Sequence, residues 1–247
     1  MLCFFSAVSL SQSLDSLNQV INNQLNAGNP RALQRLLKQG IKFTEIDSPQ
    51  LANKYQYFLG ASYFGINLDS GMLLLKQAYR SADSLGFEIN KMLISSQLAT
   101  FYRQQGRYSD ALLNLETCIE ILIKQPDSQQ KRRALSNFYL QQAKLFKTVG
   151  DYERSLSLYY KSLNKINPND SIAWSTRYLD IGTLNFEIGD KNEALNIFNK
   201  VLETAKSFNH HSLISEAMSS KANLLYDQGK RDSAFLFWTV AIELRKK

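Results

Sequence analysis

Apolar positions along this chain recur every three or four residues, in blocks separated by short polar breaks. That is the pattern of amphipathic helices with one buried face. The blocks come in pairs. Six times one block closes on Gly or Asn and a second opens at once, at Gly28, Asn67, Gly106, Gly150, Gly189 and Gly229. These markers stand 39, 39, 44, 39 and 40 residues apart. A fixed period in this range predicts stacked helix–turn–helix units, each burying its apolar face on its neighbours. Such an array serves recognition of other proteins more readily than chemistry.

Four units can be followed residue by residue. Seven residues before the marker stands Ala99, Ala143, Gly182 or Ala222, and five after it Ala111, Ser155, Ala194 or Ala234. Small residues are required there if two antiparallel helices cross with axes about 8–10 Å apart. Nine residues after the marker comes a bulky knob, Leu115, Tyr159, Phe198 or Trp238. Twelve after comes a modest residue, Cys118, Ser162, Val201 or Ala241. Glycine at the marker suits the left-handed residue that closes a helix. The longest step contains QPDSQQK (125–131), read as a longer loop.

The segments LATFYRQQGRYSDALLNLETCIEI (98–121), QQAKLFKTVGDYERSLSLYYKSLNKI (141–166), YLDIGTLNFEIGDKNEALNIFNKVLETA (178–205) and MSSKANLLYDQGKRDSAFLFWTVAIEL (218–244) resemble tetratricopeptide repeats. The resemblance is strongest over 95–247. In YFLGASYFGINLDSGMLLLKQAYRSA (57–82), Gly60 and Tyr63 fit, whereas Met72 and Lys76 stand where Ala and an aromatic are expected. Leu14 to Gly40 keeps only the phase and the two-helix layout. The family's commonest period is 34 residues. The longer period here is similar to that of kinesin light chains, bacterial peptide-receptor regulators and the sensor halves of some envelope regulators. The resemblance implies an all-α, right-handed α-α superhelix, a solenoid of five to six helix hairpins over residues 12–247.

The resemblance also implies where a ligand sits: in a concave groove lined by the first helix of each pair. It assigns Arg103, Lys144, Lys147, Thr183 and Asn223 as polar groove residues, and Tyr57, Phe64, Leu140, Leu179, Phe186 and Tyr226 as apolar ones. Arg103, Lys144 and Lys147 lie in successive repeats and suit a carboxylate or an acidic peptide. Ser96 and Thr100 replace the Lys and Asn of the carboxylate clamp found in chaperone-binding relatives, so that ligand is not expected.

Composition agrees with a helical chain: only 4 Pro and 11 Gly occur in 247 residues. Asn29-Pro30 and Ser48-Pro49 read as helix caps followed by Pro in the first turn. Asp151 and Asp190 lie near the openings of second helices, where negative charge is favourable. The net charge of +7 is scattered, with Lys131-Arg132-Arg133 and Arg245-Lys246-Lys247 as the densest runs. These read as solvated faces, and no RNA-recognition or zinc-finger fingerprint accompanies them, so nucleic acid is not an expected partner. His210 and His211, the only histidines, read as solvent-facing loop residues. No metal-ligand spacing, phosphate-binding Gly loop or nucleophile motif appears, so no enzyme activity, cofactor or metal is expected. Asn169-Asp170-Ser171 matches a glycosylation acceptor, a tripeptide common by chance.

Of the two cysteines, Cys3 falls in the apolar run 2–10 and Cys118 reads as a buried thiol. The run LCFFSAVSL (2–10), followed by polar SQSLDSLNQ, resembles the apolar part and cleavage region of a secretory signal without its positive leader. Residues 1–11 are therefore read as a signal or as an apolar cap on the first hairpin. The corresponding expectations are an exported, periplasmic or envelope-associated protein, or a cytoplasmic one. No later stretch is long and apolar enough to span a bilayer. At the other end, Phe235, Trp238, Val240 and Ile242 leave apolar surface on the last helix, which suits self-association. The expected function is non-catalytic binding of a protein or peptide, as a scaffold or a sensory input module. The alternative is a cytosolic peptide-receptor regulator whose superhelix changes shape on binding.

Overall fold

The computed structural model describes Gln19, residues 30–167 and residues 169–246. The apolar run 2–10, Cys3, the capping residue Asn29, the first marker Gly28 and Lys247 lie outside the described residues. The described residues contain eleven helices with stated bounds and no strand. The chain divides into two compact units, Met1–Ile121 and Leu122–Lys247.

The first unit holds α1 (Pro30–Thr44), α2 (Pro49–Ala61), α3 (Leu68–Ser84), α4 (Glu88–Gln104) and most of α5 (Tyr108–Lys124). The second holds α6 (Gln129–Thr148), α7 (Tyr152–Leu163), α8 (Ser171–Ile188), α9 (Lys191–Ser207), α10 (His211–Asp227) and α11 (Arg231–Arg245). The hairpins pair α2 with α3, α6 with α7, α8 with α9 and α10 with α11. Within each unit, the first helices of successive hairpins also touch: α2 with α4, and α8 with α10. This is the all-α architecture of stacked helix hairpins that the periodicity predicts.

Local chemistry sets the helix ends. Asp151, Asp170 and Asp190 each accept the backbone N–H three residues on, at 3.0, 3.0 and 3.1 Å, and so cap α7, α8 and α9. His210 is not a free loop residue. Its Nδ1 accepts the Leu213 N–H at 3.2 Å and caps α10, because an imidazole acceptor can take the place of a carboxylate there. Ser48 stands before Pro49 as expected but makes no side-chain cap bond. At the other ends, Gly189 closes α8 at φ 95°, a conformation in which a Cβ would be strained, and Asp190 N–H returns to the Asn185 carbonyl at 2.9 Å.

The second marker is displaced. Asn67 has an extended φ of −150° and caps α3 through Ser70 N–H at 3.0 Å, while the left-handed residue is Gly65. An Asn that caps the second helix belongs one position after the marker, where Asp151 and Asp190 stand in their repeats. Shifting the register by one residue removes both departures. The small position becomes Gly71 rather than Met72, the knob becomes Leu75 rather than Lys76, and the modest position becomes Ala78; all three are buried. A Cβ on Gly71 would meet Phe101 Cε1 at 2.6 Å and the Gly60 carbonyl oxygen at 3.0 Å. The QPDSQQK stretch is also not a long loop. Only residues 125–128 are non-helical, and the extra length enters α6, which runs 20 residues against 17 for α4. Ser128 caps it early by accepting Lys131 N–H.

Packing follows the small–bulky alternation. Ala99, Ala143, Ala222, Ala111, Ser155, Ala194 and Ala234 are all buried. A Cβ on Gly182 would sit 2.6 Å from Ile197 Cγ2 and 2.8 Å from Phe198 Cε1. Phe198, Tyr159 and Leu115 fill the spaces so created, each stabilising the fold by about 1.5–3 kcal/mol on burial. Where a small position carries a hydroxyl, it is satisfied across the hairpin: Ser155 Oγ donates to the Ala143 carbonyl at 2.9 Å, and Ser162 Oγ to the Ser136 carbonyl at 2.7 Å. Cys118 is a buried free thiol whose pKa is pushed up to about 12 by desolvation, and its Sγ donates to the Met92 carbonyl at 3.3 Å.

Candidate functional site

Two kinds of surface on the first helices have the chemistry to hold a ligand: their outward faces, and clefts between their leading ends. On the outward faces, the structure separates side chains consumed by packing from those left free. In the first unit, Tyr57 is half-buried against Phe58 with ring centroids 5.0 Å apart, and burial raises its hydroxyl pKa. Phe64 lies beyond the end of α2 and meets Phe101 edge-on at 5.1 Å. Arg103 is exposed in the last turn of α4 and has no ion-pair partner among the described residues.

In the second unit the expected groove cations are already engaged. Lys147 pairs with Glu187 at 2.7 Å, and Lys144 approaches Asp180 at 3.6 Å, so both tie α6 to α8. Burial nevertheless raises the Asp180 pKa, outweighing the lowering fields of Lys144 and Arg177. Leu179 is core rather than groove, one of the buried residues around Phe198. Leu140 and Phe186 pack half-buried on the same cluster. Thr183 turns its hydroxyl onto its own helix, donating to the Leu179 carbonyl at 3.0 Å. Asn223 is exposed and its Oδ1 accepts Trp238 Nε1–H at 3.1 Å. Tyr226, 48% exposed, lies 5.5 Å from the same indole. Trp238 is therefore only half-buried, since among the described residues no helix packs beyond α11. Phe235, Leu236 and Ile242 of α11 are exposed for the same reason.

The second kind of surface is not signalled by groove offsets. A cleft of about 600 Å³ opens between the leading halves of α6 and α8 and the α7–α8 connection. Arg132, Arg133, Lys165 and Arg177 line it, with Asp170 and the amides of Gln129, Asn137, Asn164 and Asn167. The Lys131-Arg132-Arg133 run divides its labour. Lys131 Nζ donates to the carbonyls of Ile123 and Gln125 at 2.9 and 2.6 Å, Arg132 pairs with Asp127, and Arg133 is left to the cleft. Arg177 Nη2 donates to Asn137 Oδ1 at 2.8 Å, while its Nε is buried without a partner. Desolvation lowers the Arg177 pKa, only partly countered by the field of Asp180. The first unit carries the corresponding cleft between the leading ends of α2 and α4. It is also about 600 Å³, and is lined by Leu51, Phe87, Ile89 and Leu93, with Lys54 as its one charged residue.

Hairpins crossing on paired small residues, with a left-handed glycine between their helices, define a helical-repeat protein. Two of the repeats match tetratricopeptide-repeat profiles, at residues 94–124 and 176–208. Among solved structures, the chain is similar to the apo form of RapI, with TM-score 0.68 and 10% identity over 95% of this chain and 98% of that one. A putative kinesin light chain from Podospora anserina with nearly identical TPR-like repeats has TM-score 0.64 and 16% identity, over 81% and 97% of the two chains. A signal-transduction ATPase of the STAND type from Pyrococcus horikoshii, with a tetratricopeptide-repeat sensor, has TM-score 0.65 and 16% identity. That match spans 95% of this chain and 39% of the other. These likenesses establish the fold. No curated protein matches the chain in sequence. Repeats of this class are generally protein-interaction scaffolds. Among the described residues no helix is long and apolar enough to cross a membrane.

Proposed function

We propose that this protein is a non-catalytic binding module that takes up a protein or peptide on the outward faces of its first helices, as a scaffold or a sensory input. The observation that carries this reading is the set of side chains those faces leave exposed. Arg103, Asn223 and Tyr226 are exposed on first helices, and two ion pairs between α6 and α8 offer charges that a ligand can compete for. A purely acidic peptide would have to displace Asp180 and Glu187, so a ligand of mixed charge with an aromatic or apolar anchor fits better. The tetratricopeptide sensor of the STAND protein supports the sensory variant. The apolar run 2–10 supports an exported, envelope-associated location, and the exposed apolar residues of α11 support self-association as an added property. A second reading is a cytosolic regulator whose hairpins shift on peptide binding. Lys144–Asp180 and Lys147–Glu187 favour it, because pairs linking successive first helices exchange partners when a charged ligand enters.

The test is cross-linking mass spectrometry in native cells of wild type beside an Arg103→Glu/Asn223→Ala/Tyr226→Ala variant with unchanged circular dichroism. A cross-linked partner lost in the variant is the expected result. A partner retained equally would place recognition elsewhere and overturn the reading. Fractionation of the same cells distinguishes envelope from cytosol, and sedimentation of Leu236→Glu beside wild type reports self-association.

A further inference from the structure

The cleft between α6 and α8 has a composition that folding does not require. Three of its four cations, Arg133, Lys165 and Arg177, have no carboxylate within ion-pair distance among the described residues. Arg177 is half-buried, and its Nη2 donates to a neutral amide. A guanidinium taken partly out of water with no carboxylate in ion-pair contact, and only the more distant field of Asp180 to offset it, is a cost that an arriving anion would relieve. At the helix ends, Ser128 and Asp170 each already take one leading N–H, those of Lys131 and Ala173. The pull comes from side chains on three separate segments. One planar carboxylate is satisfied by a single guanidinium fork. Cations that line one cleft from α6, the α7–α8 connection and α8 instead match a tetrahedral anion, which presents oxygens in several directions.

We propose that this cleft binds a phosphate ester, with Arg133, Lys165 and Arg177 around the phosphate and the amides of Gln129, Asn137, Asn164 and Asn167 facing a hydroxylated body. A volume of about 600 Å³ exceeds what phosphate alone fills and lies in the range of small-molecule sites. Among the described residues, Ile166 and Ala173 are the only apolar ones on the lining and no aromatic ring lines the cleft, so a nucleobase lacks a stacking partner there. Asp170 is the one carboxylate on the lining among the described residues, and its Oδ1 is held by Ala173 N–H at the mouth of α8. The ligand class is a phosphorylated sugar or polyol. The site is separate from the outward faces of the first helices, and either binding can exist without the other.

The test is calorimetric titration of the full chain at constant ionic strength with inorganic phosphate, glucose 6-phosphate, glucose and AMP. Saturable binding of glucose 6-phosphate is expected, competed by inorganic phosphate, with glucose silent and AMP no tighter than phosphate. Arg133→Gln is expected to weaken it at least about tenfold, and Arg177→Lys, which keeps the charge and loses the fork, several-fold. Arg133 is exposed, so its variant keeps the proposal testable even if substitutions at Arg177 perturb folding. Absence of saturable binding by glucose 6-phosphate, or binding unchanged in Arg133→Gln, would overturn the site. AMP binding more tightly than glucose 6-phosphate would overturn the assigned ligand class.

Discussion

The clefts at the leading ends of α2 and α4, and of α6 and α8, occupy corresponding places in their units and have the same volume, about 600 Å³. Their contents differ. In the first unit two asparagines close the gap: Asn90 Nδ2 donates to the Gln50 carbonyl at 2.9 Å and to Asn53 Oδ1 at 3.0 Å, and Asn53 Nδ2 donates to the Ala78 carbonyl at 2.8 Å. Both amides are engaged there, and most of the remaining lining is apolar. In the second unit an arginine–asparagine pair spans the gap, and positive charge is left over. The same hairpin geometry therefore supports a satisfied neutral joint in one place and an unsatisfied cationic one in another. Satisfied buried polar groups hold a fold together, whereas an unsatisfied one calls for an explanation of its own.

The comparison rests on both units sharing one packing scheme, and the largest expected effects test that. Phe198→Ala is expected to cost about 3–5 kcal/mol and Leu75→Ala about 2–5 kcal/mol, read from urea unfolding. Both side chains are buried knobs in the same repeat position once Asn67 is taken as a cap. A loss below about 1 kcal/mol for Leu75→Ala would break the equivalence of the two units.

The second comparison concerns the joints. Asn90→Ala strips donors from the Gln50 carbonyl and Asn53 Oδ1 in a buried setting and is expected to cost about 1–3 kcal/mol. Arg177→Met keeps the apolar stem, removes a partly desolvated charge, and is expected to change stability by less than about 1 kcal/mol. If Arg177→Met proved as damaging as Asn90→Ala, the arginine would be a structural joint like its counterpart. The contrast between the clefts would then disappear.

Much of this was legible in the sequence, for a physical reason. The small residues at helix crossings and the knobs beside them are dictated by close approach, so their offsets repeat, and Ala99, Gly182, Phe198 and Cys118 stand where those offsets put them. Asn67 misled because Asn serves both as a left-handed residue and as a helix cap. Gly65, two residues earlier, carries the left-handed turn and so signals that Asn67 is a cap rather than the marker. Leu179, placed on the groove by its offset, is buried around Phe198, because groove and core faces of one helix lie only a residue or two apart in sequence. Arg177 and the cationic cleft were out of reach because their lining comes from three segments. Only the closing of α6, the α7–α8 connection and α8 on one another makes Arg133 and Arg177 neighbours of one space.

The smallest expected effects lie on the ion pairs that mark the second unit's first helices. A double-mutant cycle of Lys147→Gln with Glu187→Gln should give a coupling of about 0.2–1 kcal/mol that shrinks with salt. Lys144–Asp180 should differ in its pH behaviour. Burial raises the Asp180 pKa in the folded protein, so folding favours the protonated carboxyl. The stabilisation is fully present below the unfolded value, about 3.9, and is lost as pH rises through the higher folded value. Relative to Asp180→Asn, which cannot ionise, wild type should therefore lose thermal stability as pH rises above about 3.9. Removing the lysine with Lys144→Gln takes away a field that lowers the Asp180 pKa, and should carry the loss to higher pH. A wild type that instead gained on Asp180→Asn over this range would mean that the lysine outweighs burial. Asp180 would then be an ordinary surface partner, equivalent to Glu187.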